Sequence, residues 1–411
     1  MLFRRALLHC VCLFGILLWS NLPTFTLGFA ADWTRWRGPD QNGISAEADW
    51  MDAWPSEGPQ ILWKAQVGTG FSSMVVSNNR LYTIGNTDDQ DSVFCLDAMT
   101  GGVLWTHSYA CPLDDRFFEG GPTSTPTVDG NYLFVLSRTG DIMSLQADTG
   151  VVQWSKNLPN ELSVEVPGWG FAGSPVIFGD QLILSVGQSG TSLDKATGEV
   201  QWHSEGEAGY MTPYLMRNDQ GSSIVIASGK FFHGVNPKTG EVIWRHRWLT
   251  TFGCNASDPI EDKGRLFISS GYNRGSALLD LTGEKPVAIW ETKDFQNQWS
   301  SSILLDGYLY GVDGNDTAER SLKCIELETG SLRWSVDGLG SASIFAAGKK
   351  LIVLSDQGEL VVAGASPDGF QPTARAQILT GKCWTVPVLA NGLIYCRNAN
   401  GEIVCADVRK Q

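Results

Sequence analysis

The chain reads as an all-β protein, an eight-bladed β-propeller of four-stranded antiparallel blades closed by an N-terminal strand, with seven blades as the competing count. Three observations predict it. A short apolar run, a Thr-Gly or equivalent turn and a tryptophan recur along the chain, as in Thr100-Gly101 to Trp105, Thr149-Gly150 to Trp154, Thr197-Gly198 to Trp202, Thr239-Gly240 to Trp244, Thr282-Gly283 to Trp290 and Thr329-Gly330 to Trp334. Trp63 is a further member without the preceding turn, and successive tryptophans stand 42 to 49 residues apart, a period that suits one propeller blade. Finally, the segment from Trp384 to Val408 holds only three strand patterns and stops. Gln60 to Val67 supplies the missing fourth, which hides the sheet edges at both ends of the chain.

Within each period the order repeats: a small-polar innermost strand, a tight turn, a densely apolar strand, a third strand, the Thr-Gly turn and the tryptophan strand. The first turns are Asn78-Asn79, Asp129-Gly130, Gly179-Asp180, Asp306-Gly307 and Asn391-Gly392, pairs that tolerate the positive φ of hairpins. Runs such as Leu133-Phe134-Val135-Leu136 and Leu351-Ile352-Val353-Leu354 suit strands buried on both faces. Ser341 to Leu379 keeps the rhythm but ends in Pro367-Asp368-Gly369 without a tryptophan, a degenerate seventh blade; its collapse would give the seven-blade count. Trp63, Trp105, Trp154, Trp202, Trp244, Trp290 and Trp334 are read as structural, each indole docking on the turn of the next blade where glycine permits close approach, its N–H reaching a backbone carbonyl.

Residues 1–30 carry Arg4 and Arg5, an apolar stretch from Ala6 to Trp19 and Gly28-Phe29-Ala30, which reads as a cleavable export signal. The apolar stretch is shorter than the roughly 20 residues of a spanning helix, so no stable membrane anchor is expected after cleavage. Residues 31–59 are then an extension and 60–411 the propeller, in the periplasm or outside the cell. The formal charge of −14 argues against nucleic acid, whose phosphates require clustered Lys and Arg. Of nine cysteines, seven follow the signal, with no Cys-x-x-Cys spacing, so no metal site is expected. Cys396 and Cys405 lie symmetrically about Asn400-Gly401, and a two-residue hairpin there would set them face to face for a disulfide, with two buried free thiols as the alternative.

The Asp97, Thr100-Gly101, Trp105 pattern, repeated with Asp194 and Asn236, resembles the tryptophan-docking motif of the pyrroloquinoline quinone (PQQ) propeller family, over residues 60 to 408. That family includes quinoprotein dehydrogenases and the BamB-type lipoproteins of outer-membrane barrel assembly. Trp33-Thr34-Arg35-Trp36-Arg37-Gly38-Pro39 is also similar to the start of secreted PQQ-like repeat proteins of planctomycete-type bacteria. The resemblance implies PQQ and calcium for an enzyme. The chain, however, lacks the adjacent-cysteine pair of the alcohol dehydrogenases, and no cofactor is expected from its own residues.

A ligand site is expected at a channel mouth, where loops converge. Phe71, Tyr210, Trp299 and Trp384 precede their innermost strands and would floor a pocket for a planar or sugar-like ligand, with Trp169 and Phe171 as a lid; the other reading has them plug the mouth and bind nothing. The ring of Ser73, Thr125, Ser174, Thr212, Ser301 and Ser343 suits a crowded axis where hydroxyls satisfy neighbouring backbone. Asp258 interrupts that ring beside Asn255, as a base or cation ligand or as a structural cap. The functional expectation is an exported binding or scaffolding module for another envelope or secreted protein. The alternatives are a PQQ/calcium-dependent oxidoreductase with Asp258 as base and a carbohydrate-binding or carbohydrate-processing propeller.

Overall fold

The computed structural model describes residues 32–218, 221–314 and 320–410; the expected export signal lies outside them. Among the described residues the strands fall into eight antiparallel sheets of four strands, one of them joined by a fifth, short strand. Blade 1 is Val75–Ser77, Arg80–Thr87, Gln90–Asp97 and Val103–Ala110, and blades 2 to 7 repeat the order. Blade 8 combines Val388–Ala390, Leu393–Arg397 and Glu402–Asp407 with Gln60–Gln66, so the ring is closed by pairing the two ends of the propeller chain, and the seven-blade count is excluded.

Local chemistry explains the strands. Asn78 and Asn79 both adopt positive φ, as do Asp306-Gly307 and Asn391-Gly392, giving turns whose twist matches the flanking strands. In the Thr-Gly turn Asp97 Oδ1 accepts from the backbone of Met99 and Thr100 and from the Thr100 hydroxyl, while Gly101 takes φ +71. The pairing register then slips by one residue between Cys95 and Leu96, a bulge beside Trp105 that recurs beside the other tryptophans.

The indoles use that geometry. Trp63 Nε1 donates to Ala98 O (3.0 Å), Trp105 to Ala147 O (3.0 Å), Trp154 to Lys195 O (3.1 Å), Trp202 to Pro237 O (2.9 Å), Trp290 to Leu327 O (2.9 Å) and Trp334 to Ser366 O (2.8 Å), each in the next blade. A Cβ on Gly101 or Gly150 would stand 2.6 Å from the Trp63 or Trp105 ring, so only glycine fits beneath them. Trp244 differs, lying against Gly234 of its own blade.

The core is distributed in slabs between neighbouring blades. Ile84, Val93 and Cys95 of blade 1 pack on Leu133, Val135 and Met143 of blade 2, and the seam at ring closure gathers residues of blades 7, 8 and 1. Arg397 is fully buried at that closure, donating to the carbonyls of Ser72, Ile84 and Gly68 and to the Thr83 hydroxyl, four acceptors in or beside blade 1.

One sequence expectation is overturned here. Tyr395 pairs with Cys405 and Cys396 with Val404, one residue out of the expected register. The connection is a wider turn, with Asn398 bonded to Glu402 and Gly401 N to Asn398 O. A one-residue slip sends the two thiols to opposite faces of the sheet, and both are free and buried.

Candidate functional site

The axis is lined by a relay of hydrogen bonds from blade to blade. Ser73 N donates to Thr125 Oγ1, Thr125 N to Ser174 Oγ, Ser174 N to Thr212 Oγ1, Thr212 N to Asp258 Oδ1 and Asp258 N to Ser301 Oγ, at 2.9 to 3.1 Å. Small hydroxyls do this because each innermost strand starts with an unpaired N–H facing a crowded centre, and a buried donor needs an acceptor. Asp258 takes one position in the relay, receiving the same kind of backbone donor as its hydroxyl neighbours.

The second oxygen of Asp258 is also engaged, by the N-terminal extension. Trp36 Nε1 donates to Oδ2 at 2.6 Å, and Arg37 Nε lies 3.8 Å from it. Burial pushes the Asp258 carboxyl up and the Arg37 guanidinium down, while their attraction opposes both shifts. Arg37 also donates to Ser302 O (2.7 Å) and Asn42 O (3.1 Å).

Around this anchor the extension is stitched to the innermost strands. Trp33 exchanges backbone bonds with Val76, Thr34 O accepts from Val128 N, Gln41 bonds Pro213 and Leu215, Ile44–Ser45 pair in parallel with Ala346 and Ala347, and the Glu47 carboxylate accepts from Asn391 N and Gly392 N. These contacts follow the relay residues in each blade, whereas the aromatic positions precede them. Residues 33–47 therefore occupy the end of the channel opposite the connecting loops. The sequence signal for this was the density of Trp and Arg between residues 33 and 37, too apolar and too cationic for a solvated linker.

At the connecting-loop end the expected ring of aromatics divides in two. Trp299 and Trp384 pack at 4.6 Å between ring centroids, Phe71 joins Trp384 at 5.7 Å, and Phe118 joins Phe71 at 5.5 Å. Arg320 lies 4.1 Å over Trp299 and Lys382 4.1 Å over Trp384, so the pair is capped by the chain's own cations. Tyr210 belongs to a second cluster, meeting Trp169 edge to face at 5.4 Å; Trp169 in turn contacts Phe117 and Phe252, and Phe252 contacts Tyr272. Phe117 and Phe252 are 67% and 68% exposed.

Two expected site residues are structural. Phe171 is fully buried in the slab with Phe134, Leu136 and Leu158, because its backbone N–H is tied to Arg138 O, and it forms no lid. Asn255 is buried too, donating to Ser228 O and Trp248 O and accepting from Ser270, which satisfies its amide internally.

The donor set at Asp258 does not fit a calcium ion beside a quinone. Its oxygens face the backbone N–H of Thr212, the Trp36 indole N–H and the Arg37 guanidinium, all donors, where a cation requires several converging oxygens. Among the described residues no three His, Cys, Asp or Glu side chains converge as a metal site. No chemical step is derived through that pair of cofactors.

Known proteins share this architecture. The BamB structure from Moraxella catarrhalis superposes with a TM-score of 0.63 at 16% identity, covering 85% of this chain and 99% of that one. The quinohemoprotein alcohol dehydrogenase of Comamonas testosteroni superposes at 0.67 with 14% identity, over 91% of this chain and 80% of that one. In sequence, outer membrane protein assembly factor BamB of Moranella endobia is 24% identical over 374 residues, 84% of this chain and 89% of the relative. Quinoprotein ethanol dehydrogenase of Pseudomonas putida is 26% identical over 153 residues, 34% of this chain and 23% of the relative. The family model described as outer membrane protein assembly factor BamB matches residues 89–336, which include blades 2 to 6 with their docking turns, and the chain belongs to that family of PQQ-like propellers.

Proposed function

We propose that the chain is an exported propeller that binds and scaffolds another envelope or secreted polypeptide, with residues 1–30 as a cleaved signal, 31–59 as the extension that seals one channel mouth and 60–411 as the propeller. The observation that carries this reading is the aromatic cluster on the connecting-loop face. Phe117, Trp169, Phe252 and Tyr272 are linked edge to face across loops of different blades, with two of the rings more than half exposed. Exposed contiguous apolar groups on a folded protein mark interaction surfaces, and aromatic rings are enriched at their centres. Phe252 is held at φ +61, a region that bulky residues avoid, so the loop bears strain to present that ring. The relatives described as outer membrane protein assembly factors support a polypeptide partner.

The test places a photo-crosslinking phenylalanine analogue at Phe117 or Phe252 in cells that make the protein, with Leu332, exposed on the outer strand of blade 6, as control. A discrete adduct from 117 and 252 but not from 332 is expected; equal labelling at all three would remove the basis for this reading. Titration with PQQ and calcium probes the enzyme alternative. Saturable one-to-one quenching of tryptophan fluorescence, lost in Trp299→Ala or Trp384→Ala, would replace the scaffold with a dehydrogenase.

A further inference from the structure

The outer strand of each blade has one edge without a neighbour in its sheet, and such edges are ordinarily guarded by charge, proline or brevity. Lys64, Lys156, Arg245, Glu291, Arg333 and Arg375 stand in the outer strands of blades 8, 2, 4, 5, 6 and 7, and that of blade 3, Val200–His203, has only four residues. Val103–Ala110 of blade 1 has none of these guards: at eight residues it is the longest of the described outer strands, and it holds no Lys, Arg, Asp, Glu or Pro. Burial pushes its one imidazole, His107, down, so the strand carries no charge at neutral pH.

The register fixes which of its backbone groups are open. Cys111 N donates to Asp89 O just beyond the paired residues Ala110 and Gln90, so Trp105, His107 and Tyr109 exchange their bonds with the third strand of the blade. Thr106, Ser108 and Ala110 then turn their N–H and C=O groups away from the sheet, and all three residues are exposed. A row of donors and acceptors at that spacing is what an added strand pairs with.

The ends of the strand are acidic. At its exit Asp88, Asp89 and Asp115 are exposed, while Arg116 and Arg138 are answered by Asp114 and Asp91. At its entry Arg80 lies across from Asp97 and is bonded to Asp148 at 2.7 Å, which leaves one carboxylate in excess. A second copy is the wrong occupant. Antiparallel self-pairing would set the entry end of one strand beside the exit end of the other, acid against acid, in chains of formal charge −14. Residues 111–116 carry the strand on into the loop of Phe117, so a segment laid along this edge continues onto the aromatic cluster.

We propose that blade 1 takes an extended segment of a polypeptide as an added strand on Val103–Ala110, the segment being uncharged in its middle and carrying Lys or Arg at both ends. From the reading above this takes only that the partner is a polypeptide. Crosslinking at Phe117 and Phe252 can fail while the edge pairs, because the pairing is read at other residues.

The probe is an eight-residue synthetic peptide of alternating threonine and valine with a lysine at each end, titrated into the folded protein and read by calorimetry and amide hydrogen exchange. In the free protein Thr106, Ser108 and Ala110 should exchange fast and Trp105, His107 and Tyr109 slowly; saturating peptide should slow the first three by about tenfold or more. A peptide with glutamate at each end should bind about tenfold more weakly, and one N-methylated throughout, which cannot donate from either edge, should not bind. Thr106→Pro removes an outward N–H and no bond within the sheet, so it should abolish binding with little change in melting temperature, whereas Thr106→Val keeps the N–H and should bind as wild type. Protection of Thr106, Ser108 and Ala110 already in the free protein, or no saturable binding, would overturn the proposal. So would a glutamate or N-methylated peptide that binds as well as the lysine peptide, or unaltered binding in Thr106→Pro. A concentration-dependent dimer lost in Thr106→Pro would overturn it too, by giving the edge to a second copy.

Discussion

Replacing Asp258 by asparagine should release the N-terminal extension while leaving the blades folded. The amide oxygen of the substituted side chain can still accept from Thr212 N, but its N–H₂ must then face the Trp36 N–H and the Arg37 guanidinium, donors against donors. Arg37, 4% exposed, keeps the Ser302 and Asn42 carbonyls and loses its ion-pair partner. Breaking a buried pair from one side costs about 3–5 kcal/mol, and the 3.8 Å separation of Arg37 and Asp258 puts the loss at the lower end, about 3 kcal/mol. That loss falls on the docking of residues 33–47, so the opening constant of the extension should rise by about two decades. Hydrogen exchange reads it directly at Trp33, Val76 and Ala346, whose amides bond across the extension, with Val135 in blade 2 as a control that stays protected. Arg37→Met removes the counter-charge and also the donor to the Ser302 and Asn42 carbonyls, so it should cost at least as much. The double variant should fall short of the summed losses by more than about 1 kcal/mol, since both act on one contact. Unchanged exchange at Trp33 and Ala346 in Asp258→Asn, or strict additivity in the double variant, would refute the assignment of Asp258 as the anchor.

Other sites give further expectations. Trp105→Ala should lower stability by about 3 kcal/mol in chemical denaturation through lost packing on Gly150, and Trp105→Phe by about 1–2 kcal/mol through the lost bond to Ala147 O and the smaller ring. Arg397→Met removes the guanidinium donor from the Ser72, Ile84 and Gly68 carbonyls, of which Ser72 O keeps the Thr83 hydroxyl, so ring closure should weaken by about 3 kcal/mol, visible as faster exchange in Gln60–Gln66 before any other strand. His233 is buried beside Arg245, and burial first, then that charge, depress it to about 4 from 6.5. A depressed base is neutral in the folded state and protonated in the unfolded one between those values. Stability is therefore full above pH 6.5 and is lost as pH falls toward 4, by up to about 3 kcal/mol. Denaturation midpoints of His233→Phe should fall less than wild type between pH 7 and 4.5, and equal falls would exclude His233 as the source.

What the sequence made legible was local and repeated. Asn78-Asn79, the Asp97 to Gly101 turn and the bulged tryptophan strand are each decided within ten residues, and the repeat multiplies the signal. Ring closure was legible because three strands at one end and a lone Trp63 strand at the other complete one sheet. The extension was not, since its contacts span 222 residues from Trp36 to Asp258 and 265 from Arg37 to Ser302, and no local pattern encodes such a pair. The Cys396–Cys405 register failed for a tertiary reason. Asn400-Gly401 favours a two-residue hairpin on its own, but Val67 N bonds Gly401 O and Asn398 bonds Glu402, so contact with the end of the closing strand Gln60–Gln66 decides the turn. Phe171 and Asn255 shared a face with Trp169 and Asp258 by sequence position, and only packing showed that both point into protein.

The two mouths of this propeller are chemically unequal, and the inequality follows from where the chain begins its ring. The extension arrives on the side of the first hairpin turns and finds unpaired edges on the innermost strands of blades 1 and 7, where Trp33 and Ile44 complete backbone pairs that water would otherwise satisfy. Trp36 and Arg37 then cap the relay at its one carboxylate. A hydroxyl at position 258 would serve the relay equally well through Thr212 N, so the negative charge there is explained by Arg37 rather than by the ring. The charge and its counter-charge stand or fall together, which is why a catalytic reading of Asp258 would require expelling its own N-terminal segment first. The opposite mouth, where the connections between blades run, presents rings on loops, with Phe117 and Phe252 outward.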